Sequence, residues 1–188
     1  MRHQEFRAGI PLCCNLALVE NDRATVSVVG DASTGEILVA QNGAGARALT
    51  GRGARALRAT ADSKTIVVEE SHAAGARREQ AANFAAALIR PDRWDLRSLS
   101  TTLSLAYVAA GRVSGYALLW TSAIHAAAGS LLAAEAGGVV SDLEGRPWTL
   151  ESDSLVAAAR RRASPQARRA RARRRCSGRL SVTHTVTF

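Results

Sequence analysis

The 188 residues predict a layered α/β fold. Three observations carry that prediction. The chain opens as a β-meander, strands then alternate with helices, and residues His125 to Asp142 join a small-residue helix to a Gly-Gly break and a short apolar strand. A helix of small residues can lie very close to a sheet, Gly137 and Gly138 provide the stop that a helix C-terminus favours, and Val139-Val140 restart the chain as a strand.

The elements follow in order. Leu12 to Glu20 and Ala24 to Gly30 are apolar runs flanking Asn21-Asp22, which reads as an antiparallel hairpin, and Ser33-Thr34-Gly35 turns the chain into a third strand at Glu36 to Ala40. Gly43 to Ala56 reads as a glycine-rich loop. It has neither a GKS or GKT ending nor a helix opening from it, so it is not a phosphate loop. Lys64 to Glu69 is a strand, Arg77 to Ile89 a helix, and Arg90-Pro91-Asp92 a break. A strand at Trp94 to Ser98, a helix at Thr101 to Ala110 and a strand at Gly115 to Leu119 lead into the His125 to Asp142 unit. No internal repeat is present.

Composition narrows the class. A hydrophobic content of 47% suits a globular domain able to bury one substantial core. The longest apolar runs, such as Leu103 to Gly111, fall well short of the ~20 residues of a membrane span, and the N-terminus has no continuous apolar stretch of a signal peptide. The expectation is a cytoplasmic protein without a membrane partner. Cys13, Cys14 and Cys176 cannot build a disulfide framework, and Cys13 and Cys14 should point to opposite faces of a strand as packing thiols.

The formal net charge of +9 is concentrated in one place. Ten arginines lie between Arg160 and Arg179 and no acidic residue follows Asp153, so residues 1–159 carry 15 basic and 16 acidic groups and are close to neutral. Residues 160–188 therefore form an Arg-rich tail of disorder-like composition. Such an arm would bind nucleic acid or anionic surfaces through phosphate contacts without reading sequence. A shift of reading frame near Ala159 in a GC-rich gene would produce the same jumble of Arg, Ala, Pro and Ser, and the near-absence of lysine favours that origin. No aromatic residue interleaves the arginines to stack on bases.

Three stretches carry a resemblance. RSLSTTLSLAYVAAGRVSGY (Arg97 to Tyr116), HAAAGSLLAAEAGGVVSDLEGRPW (His125 to Trp148) and SDSLVAA (Ser152 to Ala158) resemble the C-terminal half of the inositol monophosphatase family. Phe6 to Arg52 is similar to that family's middle section, so the likeness covers nearly all of residues 6–158, middle and C-terminal portions only. The EAGG-x-V-x-D-x-x-G-x-P pattern at Glu135 to Pro147 is its most specific part.

The resemblance implies an incomplete αβαβα sandwich of the inositol monophosphatase and fructose-1,6-bisphosphatase type, within 1–159. It also implies Mg²⁺-dependent hydrolysis of a phosphorylated metabolite, such as an inositol or sugar phosphate, commonly by a homodimer. That chemistry explains its residues, because phosphate monoester hydrolysis uses hard cations held by carboxylates. The family's metal-binding glutamate and D-P-x-D-G-T segment would precede Glu5-Phe6, so the domain is expected to be truncated and the chain inactive. The metal-ligand aspartate of W-D-x-A-A-G falls at His125, a poor Mg²⁺ ligand, although imidazole serves Zn²⁺ or other transition metals. The substrate-contacting glutamate falls at Leu118. The substrate-side loop matches at Ser100, Thr101 and Thr102, whose N–H groups open a helix and suit phosphate, with Ser100 replacing the usual glycine.

Plainer roles stand beside these. Ser100, Thr101 and Thr102 would cap any helix, and His125 would serve as a half-buried histidine or a capping group at a helix start. Glu135 and Asp142 read as structural, and Glu69, Glu70, Asp92 and Asp95 as surface acids. Two functions from different classes result: an inositol monophosphatase-type phosphatase in a form without activity of its own, or a non-catalytic homologue whose tail binds nucleic acid.

Overall fold

The computed structural model describes residues 13–69, 75–99 and 101–160. Strands β1 (Cys13–Glu20), β2 (Arg23–Asp31), β3 (Glu36–Gln41), β4 (Gly45–Thr50) and β5 (Gly53–Ala56) form one antiparallel sheet in that spatial order. The Asn21-Asp22 turn has positive φ at both residues (50° and 59°), the conformation whose twist suits a two-residue hairpin.

The predicted loop at Gly43 to Ala56 is instead β4 and β5. Alanine is a weak strand former and four glycines and five alanines make up most of that stretch, but Ala46 and Ala48 alternate inward while Arg47 and Leu49 face out. Gly43, Gly45 and Gly53 take positive φ around the two turns, so these glycines bound the strands rather than dissolve them.

A second sheet collects β6 (Thr65–Glu69), β7 (Asp95–Arg97), β8 (Gly115–Leu118), β9 (Val139–Ser141) and β10 (Leu155–Ala158) in the order β7-β6-β8-β10-β9. β6 runs parallel to β7 and β8, and β10 antiparallel to β8 and β9. Helices α1 (Ala76–Ile89), α2 (Thr101–Ala109) and α3 (Ala123–Glu135) complete the described elements.

Alternation along the strands sorts these elements into layers. Val29, Leu38, Ala40, Ala46 and Ala48 of the first sheet pack on Ala106 and Ala109 of α2 and on Ala128 and Leu132 of α3. The opposite faces of the same helices, through Leu105, Val108, Ala126 and Ala133, meet Val67, Tyr116, Leu118, Leu155 and Ala157 of the second sheet. Ile66, Val68, Ala117 and Val156, one residue out of phase, face α1 through Ala81 and Leu88. The order is sheet, helix pair, sheet, helix: four layers of an αβαβα sandwich. The outer face of the first sheet is apolar and exposed, with Leu16 at 65%, Leu18 at 53% and Ile37 at 45%.

Lying between two sheets explains the sequence of α3. Eight consecutive residues, Ala126 to Ala133, are buried, so the helix is apolar all round rather than striped. Its end is a Schellman motif: Gly138 N–H donates to the Ala133 carbonyl (2.9 Å), Gly137 N–H to that of Ala134 (2.9 Å), and Gly137 has φ 86°. A Cβ on Gly138 would lie 2.8 Å from the Ala133 carbonyl oxygen.

Candidate functional site

The N-termini of α2 and α3 meet β1 at one corner of the inner helix layer. Asn15, on the inner face of β1, donates from Nδ2 to Thr102 Oγ1 (3.1 Å), and that buried hydroxyl donates to the backbone carbonyl of His125 (2.9 Å). One hydroxyl thus ties a strand to the first turns of two helices, and the partial positive charge of helix N-termini favours an anion. Asn15 belongs to no motif in the sequence. The usable signal is a polar side chain on the inward phase of an otherwise apolar strand, alongside Cys13.

The predicted site residues fare differently. Ser100 lies outside the described residues, and Thr101 is the first residue of α2. Thr102 is at the corner, with its hydroxyl hydrogen committed to His125. His125 is neither half-buried nor the cap: Ser122 is the N-cap residue, and His125 is exposed one turn in, with Nδ1 3.2 Å from Ser122 Oγ. Leu118 is 2% exposed and packs with Val67, Leu105 and Leu155 in the core.

These residues do not fit Mg²⁺. A hard dication takes several oxygen ligands, whereas the corner offers an imidazole engaged with Ser122, and Leu118 brings no ligand atom at all. Among the described residues no three His, Cys, Asp or Glu side chains stand together as a metal-holding group.

The other acids do structural work. Both oxygens of Glu135 accept backbone bonds at 2.8 Å, from Gly43 and Gly45, pinning the β3–β4 turn to the end of α3. Asp142 accepts from Arg146 N–H (2.8 Å) and Nε (2.6 Å). Burial alone would raise its pKa, but the Arg146 bonds and charge hold the carboxyl below its ordinary range. Glu69, expected at the surface, is half-buried and accepts from Tyr116 OH at 2.8 Å.

Among the described residues Asp31 is the most deeply placed acid, its side chain fully buried at the end of β2. It accepts from Ser33 N–H (2.9 Å), Ser33 Oγ (2.5 Å) and Tyr107 OH (3.0 Å), while Arg112 lies 3.8 Å away and also pairs with Glu36. Burial pushes the carboxyl up, but the bonds from Ser33, Thr34 and Tyr107 outweigh it and the pKa is lowered. Burial, then the Asp31 carboxylate, raises the Tyr107 phenol. This network locks the β2–β3 turn to the C-terminal end of α2. Asp31 and Thr102 therefore fix opposite ends of the same helix.

Comparison with known proteins agrees with this architecture. The family model for the inositol monophosphatase family matches residues 4–177. The Nus factor SuhB of Haemophilus influenzae is 32% identical over 162 residues, 82% of this chain and 58% of the relative. An inositol-1-monophosphatase of Mesorhizobium japonicum is 52% identical over 58 residues, 31% of this chain and 22% of the relative. Among solved structures, Mycobacterium tuberculosis SuhB aligns with a TM-score of 0.68 at 28% identity over 83% of this chain and 62% of that one. The Thermotoga maritima IMPase aligns at 0.69 and 26%, over 83% and 59%. The chain thus spans about three-fifths of the length of the relatives that it matches most fully. No helix among the described residues is long and apolar enough to cross a membrane. A family match over nearly the whole sequence, on a sheet-helix-sheet-helix arrangement shared with these structures, makes the chain a member of the inositol monophosphatase family.

Proposed function

We propose that the chain forms the phosphate-facing part of an inositol monophosphatase-type site, and that its 188 residues do not hydrolyse phosphate monoesters by themselves. The observation that carries this is the Asn15-Thr102-His125 corner, where two helix N-termini converge in a fold of this family. The corner supplies N–H donors for an anion, the role assigned to Ser100, Thr101 and Thr102, and the substrate would be an inositol or sugar phosphate. Mg²⁺ would supply charge stabilisation and an activated water in such a reaction. The oxygen ligands for it are not assembled among the described residues, and His125 is a poor substitute. On this reading the carboxylates come from outside these 188 residues, in a cytoplasmic protein that pairs as a homodimer.

The test has two arms. The purified chain with Mg²⁺ and inositol 1-phosphate or a generic phosphomonoester is expected to show background turnover, and robust turnover would overturn the inactivity. Fusing residues 1–159 behind the N-terminal portion of a catalytic relative, with His125→Asp, is expected to give Mg²⁺-dependent hydrolysis that His125 itself does not support. A soluble, folded fusion without activity would overturn the assignment of the corner.

A second reading has its own observation. Ten arginines between Arg160 and Arg179 give residues 160–188 the charge of a nucleic-acid arm, and several similar proteins are named Nus factors. Nucleic-acid binding should then fall steeply with salt and vanish on deleting 160–188. Unchanged affinity after that deletion would remove the arm from consideration.

A further inference from the structure

A cavity of about 340 Å³ lies on the far side of the second sheet from the Thr102 corner, between α1 and the carboxyl ends of β6 and β7. Its walls are apolar: Val68 and Leu96 from the strands, Ala81 and Ala85 from the helix. The polar lining among the described residues is Arg78 in the first turn of α1, Arg97 at the end of β7 and Ser98. Among the described residues no carboxylate lines it.

The two arginines are its chemical signature. Among the described residues neither has an acidic partner, and Arg97 donates from Nη1 to the Leu96 carbonyl at 2.7 Å. Arg77, next in sequence to Arg78, is occupied over the Trp120 ring at 5.6 Å. Two guanidinium groups on different elements, with no acidic partner among the described residues, create a positive field over an apolar floor. Small-molecule sites are concave, mostly apolar and oriented by a few polar groups, and in open α/β sheets they gather at the carboxyl ends of strands. The volume falls at the small end of the range for such sites.

From this the geometry points to a second binding site, for a small organic anion with a compact apolar body: a carboxylate, sulfonate or phosphate held by Arg78 and Arg97, its hydrocarbon part lying on Val68, Leu96 and Ala85. The site shares no residue with the phosphate-facing corner, so it does not depend on the phosphatase reading.

Naphthalene-2-sulfonate is a suitable probe, because its sulfonate pairs with arginine and is not a phosphatase substrate. Trp94 and Trp120 pack in the same layer, so tryptophan fluorescence of the full chain reports binding, and calorimetry confirms it. Saturable one-to-one binding is expected. Arg78→Ala and Arg97→Ala should each weaken it about tenfold, through loss of a charge-assisted bond. Ala82→Leu, at an exposed position on the cavity wall, should abolish it by occupying the space while leaving the far-UV circular dichroism unchanged. Inorganic sulfate should bind far more weakly, because it leaves the apolar floor uncovered. No saturable binding, equal affinity for inorganic sulfate, or affinity unchanged in Ala82→Leu or in both arginine variants would each overturn the proposal.

Discussion

Gly129 offers the sharpest test of how the inner helix layer is built. A Cβ placed there would lie 2.4 Å from Leu105 Cβ, 2.6 Å from Leu105 Cδ1 and 3.1 Å from Cγ. Carbon atoms in contact sit about 3.5–4.0 Å apart, so Gly129→Ala requires α2 and α3 to separate by roughly 1 Å. Such a separation would shift Leu132 and Ala128 across the first sheet and Ala126 and Ala133 across the second, disturbing both packed faces. Overpacking of this kind costs about 3 kcal/mol, while alanine gains about 1 kcal/mol of helix propensity over glycine. The expected net loss is about 2 kcal/mol, read as a lower denaturant midpoint at unchanged slope and a Tm lowered by about 4–8 °C. Leu105→Ala removes Cγ and Cδ1 but keeps the Cβ contact, so a double-mutant cycle should recover only about 1 kcal/mol. A Gly129→Ala protein as stable as the parent, or more so, would mean that propensity governs this position and that the helices are not in close contact.

Three further outcomes follow from the same packing. Glu135→Ala leaves two backbone N–H groups of the β3–β4 turn without their acceptor, at an expected cost of about 2 kcal/mol and with faster hydrogen exchange at Gly43 and Gly45. Asp31 is held below its ordinary pKa in the folded state, so the unfolded chain takes up the proton first as pH falls. The stability it contributes is complete above the unfolded value of about 4 and is lost as pH drops through the folded value, so Asp31→Asn should be less stable at pH 7 and show a flatter acid limb in pH-dependent unfolding. Thr102→Val strips Asn15 of its acceptor and the His125 carbonyl of its donor, and should cost about 1–3 kcal/mol in chemical denaturation. A hydroxyl that only lined a solvent-filled pocket would cost almost nothing.

The legible and illegible parts of the site divide along one physical line. His125, Leu118 and the Ser100 to Thr102 loop stand out in the sequence because a family pattern expects particular residue types there. The partners of those residues do not. Asn15 is 87 positions from the threonine it donates to, and Glu135 about 90 from the glycines it holds. Pairings of that separation depend on the register of β1 against β2 and on where α3 ends against β4, and local periodicity carries neither.

The sequence by itself determined the class and most of the elements. Turn residues at Asn21-Asp22, the Arg90-Pro91-Asp92 break and the Gly137-Gly138 stop act through local backbone sterics, which need no tertiary partner. Tertiary structure decided that Gly43 to Ala56 is strand, because Ala46 and Ala48 gain their preference from packing on the helix layer and not from intrinsic propensity. It also decided that α3 is buried all round, that Thr102 serves as a tie between three elements, and that Arg78 and Arg97 share one cavity. Each is a consequence of stacking two sheets about one helix pair, and burial between layers belongs to the stack rather than to any single element.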